Sequence, residues 1–208
     1  MRIGVLALQG GFIEHISMLA KLGVKATPVY KTDELEGIDG LIIPGGESTT
    51  MLNLMHNFGI LEPLKEKVHS GLPIMATCAG IVLLAKEVSN PGMETLSLMD
   101  IAVKRNAFGR QVDSFEASVD IPVLGKEPFP AIFIRAPLIE SVSPDIEILG
   151  RLADGKFVAV RQERLLAISF HPELAQDTRL HRYFLDIVAD YPSEEKVIIV
   201  PEAAIPAD

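Results

Sequence analysis

A single cysteine, Cys78, occurs in the 208 residues of this chain. That scarcity excludes an internal disulfide and any Cys-rich metal site, and it suits a reducing cytosol. Long apolar runs are absent too: no stretch approaches the ~20 residues a membrane span needs. The run from Ile3 to Leu8 is too short for a signal peptide, and no cleavage pattern follows it. Basic residues are in deficit, 19 Lys and Arg against 28 Asp and Glu, for a formal net charge of −9. The two signs are interspersed, so no basic patch is available to neutralise phosphates and nucleic acid is not expected as a partner. No linker, repeat or low-complexity segment interrupts the chain. What is abundant is apolar content, 48%, enough for one compact α/β domain to bury a sizeable core. These features predict a soluble cytoplasmic protein with no cofactor and no metal.

The first ~90 residues alternate in type. Strands are expected over 2–8, 24–30, 39–43 and 73–77, and helices over 12–22, 49–57, 60–69 and from Ala79 to Lys86. Such alternation indicates βαβ units and a parallel sheet. From Asp100 onward the strand-like runs 101–104, 114–121, 131–134, 147–152, 156–161 and 164–170 follow one another without helices. They read as an antiparallel excursion on a mostly parallel sheet, closed by a helix over 178–189. Residues 122–130 read as a surface loop, and 192–208 as a loosely ordered tail outside a domain spanning 1–191.

Cys78 sits where an apolar strand meets a helix, flanked by Ala79 and Gly80. Small residues let the backbone bend sharply there, as in a nucleophile elbow. The helix N-terminus favours a thiolate, the form that attacks. On these residues alone a small cysteine filling core space fits equally well. His171-Pro172-Glu173 follows another apolar strand. Two residues apart in an extended chain, His171 and Glu173 point to the same side. Glu173 can then orient the imidazole, and His171 can take and return the proton of Cys78, the logic of a triad. The third strand ends in Pro44-Gly45-Gly46-Glu47-Ser48-Thr49-Thr50. Its glycines let backbone N–H groups approach a ligand, so those of Gly46 and Ala79 can face a developing oxyanion. A phosphate-binding turn or a purely structural turn fits the same residues, but a P-loop is excluded because no Gly-Lys-Ser/Thr follows.

Together these residues resemble the class I glutamine amidotransferases. Within them, six blocks are similar to the glutaminase subunits of pyridoxal 5′-phosphate synthase: 4–10, 44–50, 77–80, 105–111 (Arg-Asn-Ala-Phe-Gly-Arg-Gln), 133–137 and 170–174, in the family's order. The resemblance implies a single-domain, flavodoxin-like three-layer fold and a Cys78-His171-Glu173 triad. It implies that L-glutamine is hydrolysed to glutamate and ammonia, and that a synthase subunit receives the ammonia. It also places Gly46, Glu47, Ser48, Arg105, Ile134 and Arg135 at the glutamine site. A planar guanidinium suits the substrate carboxylate, although either arginine could instead form a structural ion pair. Gln9 is expected either to gate the oxyanion hole or simply to belong to a tight turn. His15, His56, His69 and His181 fall in helical stretches and are expected to be solvated or capping groups.

One departure from the family pattern is Ala76, where the elbow usually has glycine. Three rival readings remain at this stage. The chain could serve another amidotransferase, making imidazole glycerol phosphate, anthranilate or guanylate. It could be a cysteine hydrolase or redox sensor, or a catalytically dead interaction module. The 105–111 and 133–137 blocks favour the vitamin B6 route over the first, and the intact triad counts against the last.

Overall fold

In the computed structural model, residues 1–89, 93–105 and 114–190 are described. Residues 106–111 of the arginine-rich block and the tail 192–208 lie outside them. The amino-terminal half alternates as the sequence predicts. Strands β1 (Arg2–Leu6), β2 (Lys25–Val29), β3 (Gly40–Ile43) and β4 (Ile74–Thr77) are separated by helices α1 (Phe12–Lys21), α2 (Ser48–Asn57) and α3 (Leu61–His69). These strands pair in parallel in the order β2-β1-β3-β4. The order reverses beside β1. Carboxyl ends flanking such a switch point form the crevice in which α/β proteins bind ligands.

The second half carries the antiparallel excursion. Its strands in the main sheet are β6 (Met99–Lys104), β9 (Leu138–Val142), β10 (Glu147–Arg151), β11 (Phe157–Gln162) and β12 (Leu165–Ile168). The hairpin of β7 (Ser114–Val119) and β8 (Phe129–Ile134) forms a separate two-stranded sheet. Strand β12 returns to lie parallel to β4, while β11, β9 and β6 extend the sheet by antiparallel pairing. Helix α5 (Arg179–Asp190) closes the chain's described part.

Three expectations need correction. The helix after Cys78, α4, ends at Leu84, and Ala85–Val88 forms a further strand, β5, parallel to β6. Strand β9 falls in a segment with no expected strand. Residues 122–130 are not wholly a surface loop either: Phe129 begins β8 and is fully buried.

Both faces of the main sheet are covered, which explains why its central strands read as continuous apolar runs. Alternate residues feed two core layers. Leu41, Ile43, Ile74, Ala76 and Ala167 pack beneath α2, α3 and α4. Ile42, Met75, Leu166 and Ile168 pack beneath α1, α5 and the hairpin, among Phe129, Phe133, Phe170 and Phe184. Ala76 belongs to the first layer and is fully buried, so the departure from glycine is absorbed by core packing. No helix among the described residues is long and apolar enough to cross a membrane.

Candidate active site

The turn between β4 and α4 puts Cys78 at φ 47°, ψ −114°. A non-glycine residue there stores about 1–3 kcal/mol of strain and persists only where its surroundings over-determine it. Here the Cys78 N–H donates to the Ile168 carbonyl on β12 (2.9 Å), and the Cys78 carbonyl accepts from the Ile81 N–H (3.1 Å). Gly80 allows the close approach: a Cβ at that position would lie 2.3 Å from the Ile43 carbonyl oxygen on β3. The elbow expected from the sequence is thus built from three strands.

His171 follows β12, and its N–H donates to the Ile132 carbonyl on β8 (2.8 Å). His171 and Glu173 do meet, but not through an extended chain. Pro172–Leu174 forms one turn of 3-10 helix with Pro172 at its start, and this turn brings the carboxylate back onto the ring. The His171 Nδ1 to Glu173 Oε1 distance is 2.6 Å. Burial by itself would lower the pKa of His171. Its hydrogen bonds to Cys78 and Glu173, and the charges on both, outweigh burial and raise it from 6.5 to about 10. The site therefore favours an imidazolium poised between sulfur and carboxylate.

A cavity of about 490 Å³ opens above this pair. Gln9, Gly46, Glu47, Ser48, Ala79, Arg105, Ile134 and Arg135 line it with Cys78 and His171, so every expected site residue except Glu173 reaches its wall. Glu173 lies behind His171, only 6% exposed. Glu47 caps α2, accepting from the Thr49 and Thr50 amides and the Thr50 hydroxyl. Partial burial pushes its pKa up, but these bonds and then Arg105 hold it below the usual carboxylate range. Arg105 pairs with Glu47 at 2.9 Å, so the ion pair that the sequence left open is present. Gln9 does more than turn the chain: its Oε1 accepts from the Glu47 N–H (2.6 Å) and covers Gly46.

Gly45 makes a sharp demand on this geometry. A Cβ there would lie 2.5 Å from His171 Cε1 and 3.1 Å from Cys78 Cβ. The imidazole is held by Glu173 and has nowhere to retreat without breaking that bond. Gly45→Ala is expected to fold and to lower kcat by about 10²-fold, the cost of a displacement near 1 Å. Wild-type kcat in a steady-state assay of Gly45→Ala would refute this.

Two histidines depart from expectation. His56 and His69 are exposed as anticipated, and His56 pairs with Glu94 at 3.0 Å. His15 on α1 and His181 on α5, by contrast, are completely buried. His15 Nδ1 lies 2.9 Å from His181 Nε2, and His15 Nε2 lies 3.2 Å from Thr77 Oγ1 and 3.3 Å from Glu173 Oε2. Helical spacing carried a signal for both. His15 shares a face with Met18 and Leu19, and His181 shares one with Phe184 and Val188, so each stands in an apolar stripe. Among the described residues no cluster of His, Cys, Asp and Glu could hold a metal ion.

Comparison with known proteins agrees with the geometry. The SNO glutamine amidotransferase family matches residues 5–190. "Pyridoxal 5'-phosphate synthase subunit PdxT" of Dehalococcoides mccartyi is 55% identical over 193 residues, covering 92% of this chain and 99% of that protein. The protein of the same name from Moorella thermoacetica is 55% identical, covering 90% and 100%. A solved structure described as a glutamine amidotransferase superposes with a TM-score of 0.85 at 46% identity, covering 90% of this chain and 98% of the other.

Proposed function

This chain belongs to the SNO glutamine amidotransferase family, and we propose that within it the chain is the glutaminase subunit of pyridoxal 5′-phosphate synthase. It hydrolyses L-glutamine and passes the ammonia to a synthase subunit. The observation that carries this reading is Cys78 at a positive φ, sharing one cavity wall with a His171 that Glu173 holds at 2.6 Å. The name carried by relatives at 55% identity supports the choice of synthase. Likeness to a putative guanylate synthase subunit from Thermoplasma acidophilum, at 19% identity, extends to the fold alone.

The chemistry is acyl transfer from a poor leaving group. The Cys78 thiolate attacks the side-chain carboxamide carbon, and the N–H groups of Gly46 and Ala79 stabilise the oxyanion. His171 gives its proton to the departing nitrogen. Ammonia leaves, and a glutamyl thioester remains on the sulfur. His171, now neutral, deprotonates a water that attacks the thioester; glutamate leaves and the thiolate–imidazolium pair is restored. A free amino acid needs one cationic and one anionic partner for its α-groups. Arg105 and Glu47, 2.9 Å apart on the wall, supply both signs, with Arg135 as a second cation and Ser48 and Ile134 completing the lining.

Ammonia released into water would be protonated and lost as a nucleophile, so delivery calls for a docked synthase subunit. A free active-site thiol suits the reducing cytoplasm. The test is ammonia release from glutamine by the chain alone and with a pyridoxal 5′-phosphate synthase subunit. Little release alone and strong stimulation on complex formation is the expected result. No release from a complex shown to have formed would sink the function and leave the fold standing.

A further inference from the structure

We propose that His15 is a positioning residue for the triad, resting on the glutaminase reading above: as a neutral imidazole it donates its Nε2 proton to Glu173 Oε2, and His181 fixes that tautomer by donating to His15 Nδ1. The inference starts from a buried carboxylate oxygen. Glu173 Oε1 is taken by His171, whereas Oε2 is buried and has no hydrogen bond of good geometry. A carboxylate oxygen left bare in a dry interior is costly, so the nearest donor matters. His15 Nε2 lies within reach of Oε2, at 3.3 Å.

The neighbouring groups choose between the tautomers. Suppose His15 carried its proton on Nδ1. Its Nε2 lone pair would then face the Glu173 carboxylate, and the proton on Nδ1 would go to His181 Nε2 at 2.9 Å. His181 would be forced to protonate Nδ1, which is buried without a partner. That arrangement combines lone-pair repulsion with an orphaned buried N–H. With both protons on Nε2 the chain runs His181 to His15 to Glu173, and the only orphan is the His181 Nδ1 lone pair. Bare buried acceptors are tolerated more often than bare N–H groups. Thr77 Oγ1, 3.2 Å from His15 Nε2, is a hydroxyl that serves either tautomer and does not discriminate.

The consequence for catalysis is mechanical. Glu173 can orient His171 only if its own second oxygen is anchored. The anchor comes from α1, braced in turn by α5, so the two helices beneath the sheet set the imidazole angle at the cavity. His15 touches neither substrate nor sulfur, and its loss should lower kcat with little effect on KM.

The test has two parts. In histidine-¹⁵N-labelled wild-type protein, long-range ¹H–¹⁵N NMR reads the tautomer of each ring without glutamine or partner, and so stands apart from the glutaminase assignment. Protons on Nε2 of both His15 and His181 are expected; a proton on His15 Nδ1 overturns the proposal. The second part compares His15→Leu with His15→Gln, whose amide can still donate to Glu173. Cys78 is the only thiol, so its alkylation by iodoacetamide reports the thiolate–imidazolium pair directly. His15→Leu is expected to lower kcat and alkylation at neutral pH together by ~10- to 100-fold, with KM changed less than about twofold and with His15→Gln restoring most of both. If the leucine variant folds and matches wild type, or if both variants fail equally, positioning by His15 is wrong. Should His15→Leu not fold, the NMR result alone decides.

Discussion

Cys78→Ala is expected to abolish glutamine-dependent ammonia release, by about 10³-fold or more, in the complex with the synthase subunit. Members of a triad act as a unit, and removing the nucleophile leaves only binding and oxyanion stabilisation behind. The fold should survive the change. Cys78 is small, and the hydrogen-bond contact of its sulfur to the Ile134 carbonyl, at 3.7 Å, is a weak one. The backbone bonds from Cys78 N–H to Ile168 and from Ile81 N–H to the Cys78 carbonyl do not involve the side chain at all. Alanine retains a Cβ and therefore the strain of φ 47°. Glycine does not. Cys78→Gly should be equally inactive yet more stable than Cys78→Ala by about 1 kcal/mol, since relief of left-handed strain exceeds the entropy cost of glycine. A urea titration of the two variants measures that difference. Residual turnover within tenfold of wild type in Cys78→Ala would show that another group performs the attack.

The contrast between these two substitutions bears on what a sequence can reveal. Small residues around a cysteine between a strand and a helix announce the elbow, because only a tight turn needs them. Parallel pairing of the first four strands was equally legible, since βαβ alternation leaves little topological choice. What escaped depended on contacts between distant segments. Strand β9 is short, and only Ile139 is fully buried along it, so it lacks the apolar alternation that marks a strand. Strand β5 continues directly from α4 without a break residue, and pairing with β6 rather than local preference ends the helix at Leu84. His171 and Glu173 meet for a different local reason than their spacing suggests, because Pro172 starts a 3-10 turn where the sequence reads as extended. The histidine pair was missed because its partners lie 62 to 166 residues away. A titratable ring on an apolar helix face asks where its nitrogens are satisfied, and sequence spacing alone does not answer.

That buried pair also governs stability in acid. His15 is held well below the ordinary value of 6.5 by burial first, then by the charges of His181 and His171. Burial, and then Lys21, lowers His181 to about 4. In the unfolded chain both rings protonate near 6.5, whereas in the fold they stay neutral. Below about pH 6 the unfolded state therefore binds roughly two more protons, and stability falls as pH falls, by about 1.4 kcal/mol per pH unit for each ring. Two rings give about 3 kcal/mol per unit, a large share of the roughly 5–15 kcal/mol that holds a domain together.

Other groups do not confuse this window. His171 is raised in the fold, so its contribution is fully present below 6.5 and fades only as pH climbs toward about 10. Glu47 and Asp177 are lowered carboxylates, whose stabilisation is present above the ordinary carboxylate range near 4 and is lost only below it. Urea midpoints measured between about pH 6 and 5 should then drop steeply with an unchanged m-value. Replacing both His15 and His181 by glutamine, which does not titrate, should flatten that slope whatever its effect on turnover. A midpoint insensitive to pH across this range in the wild-type protein would mean that both rings are charged in the fold, whereas a slope half as steep would mean that one of them is.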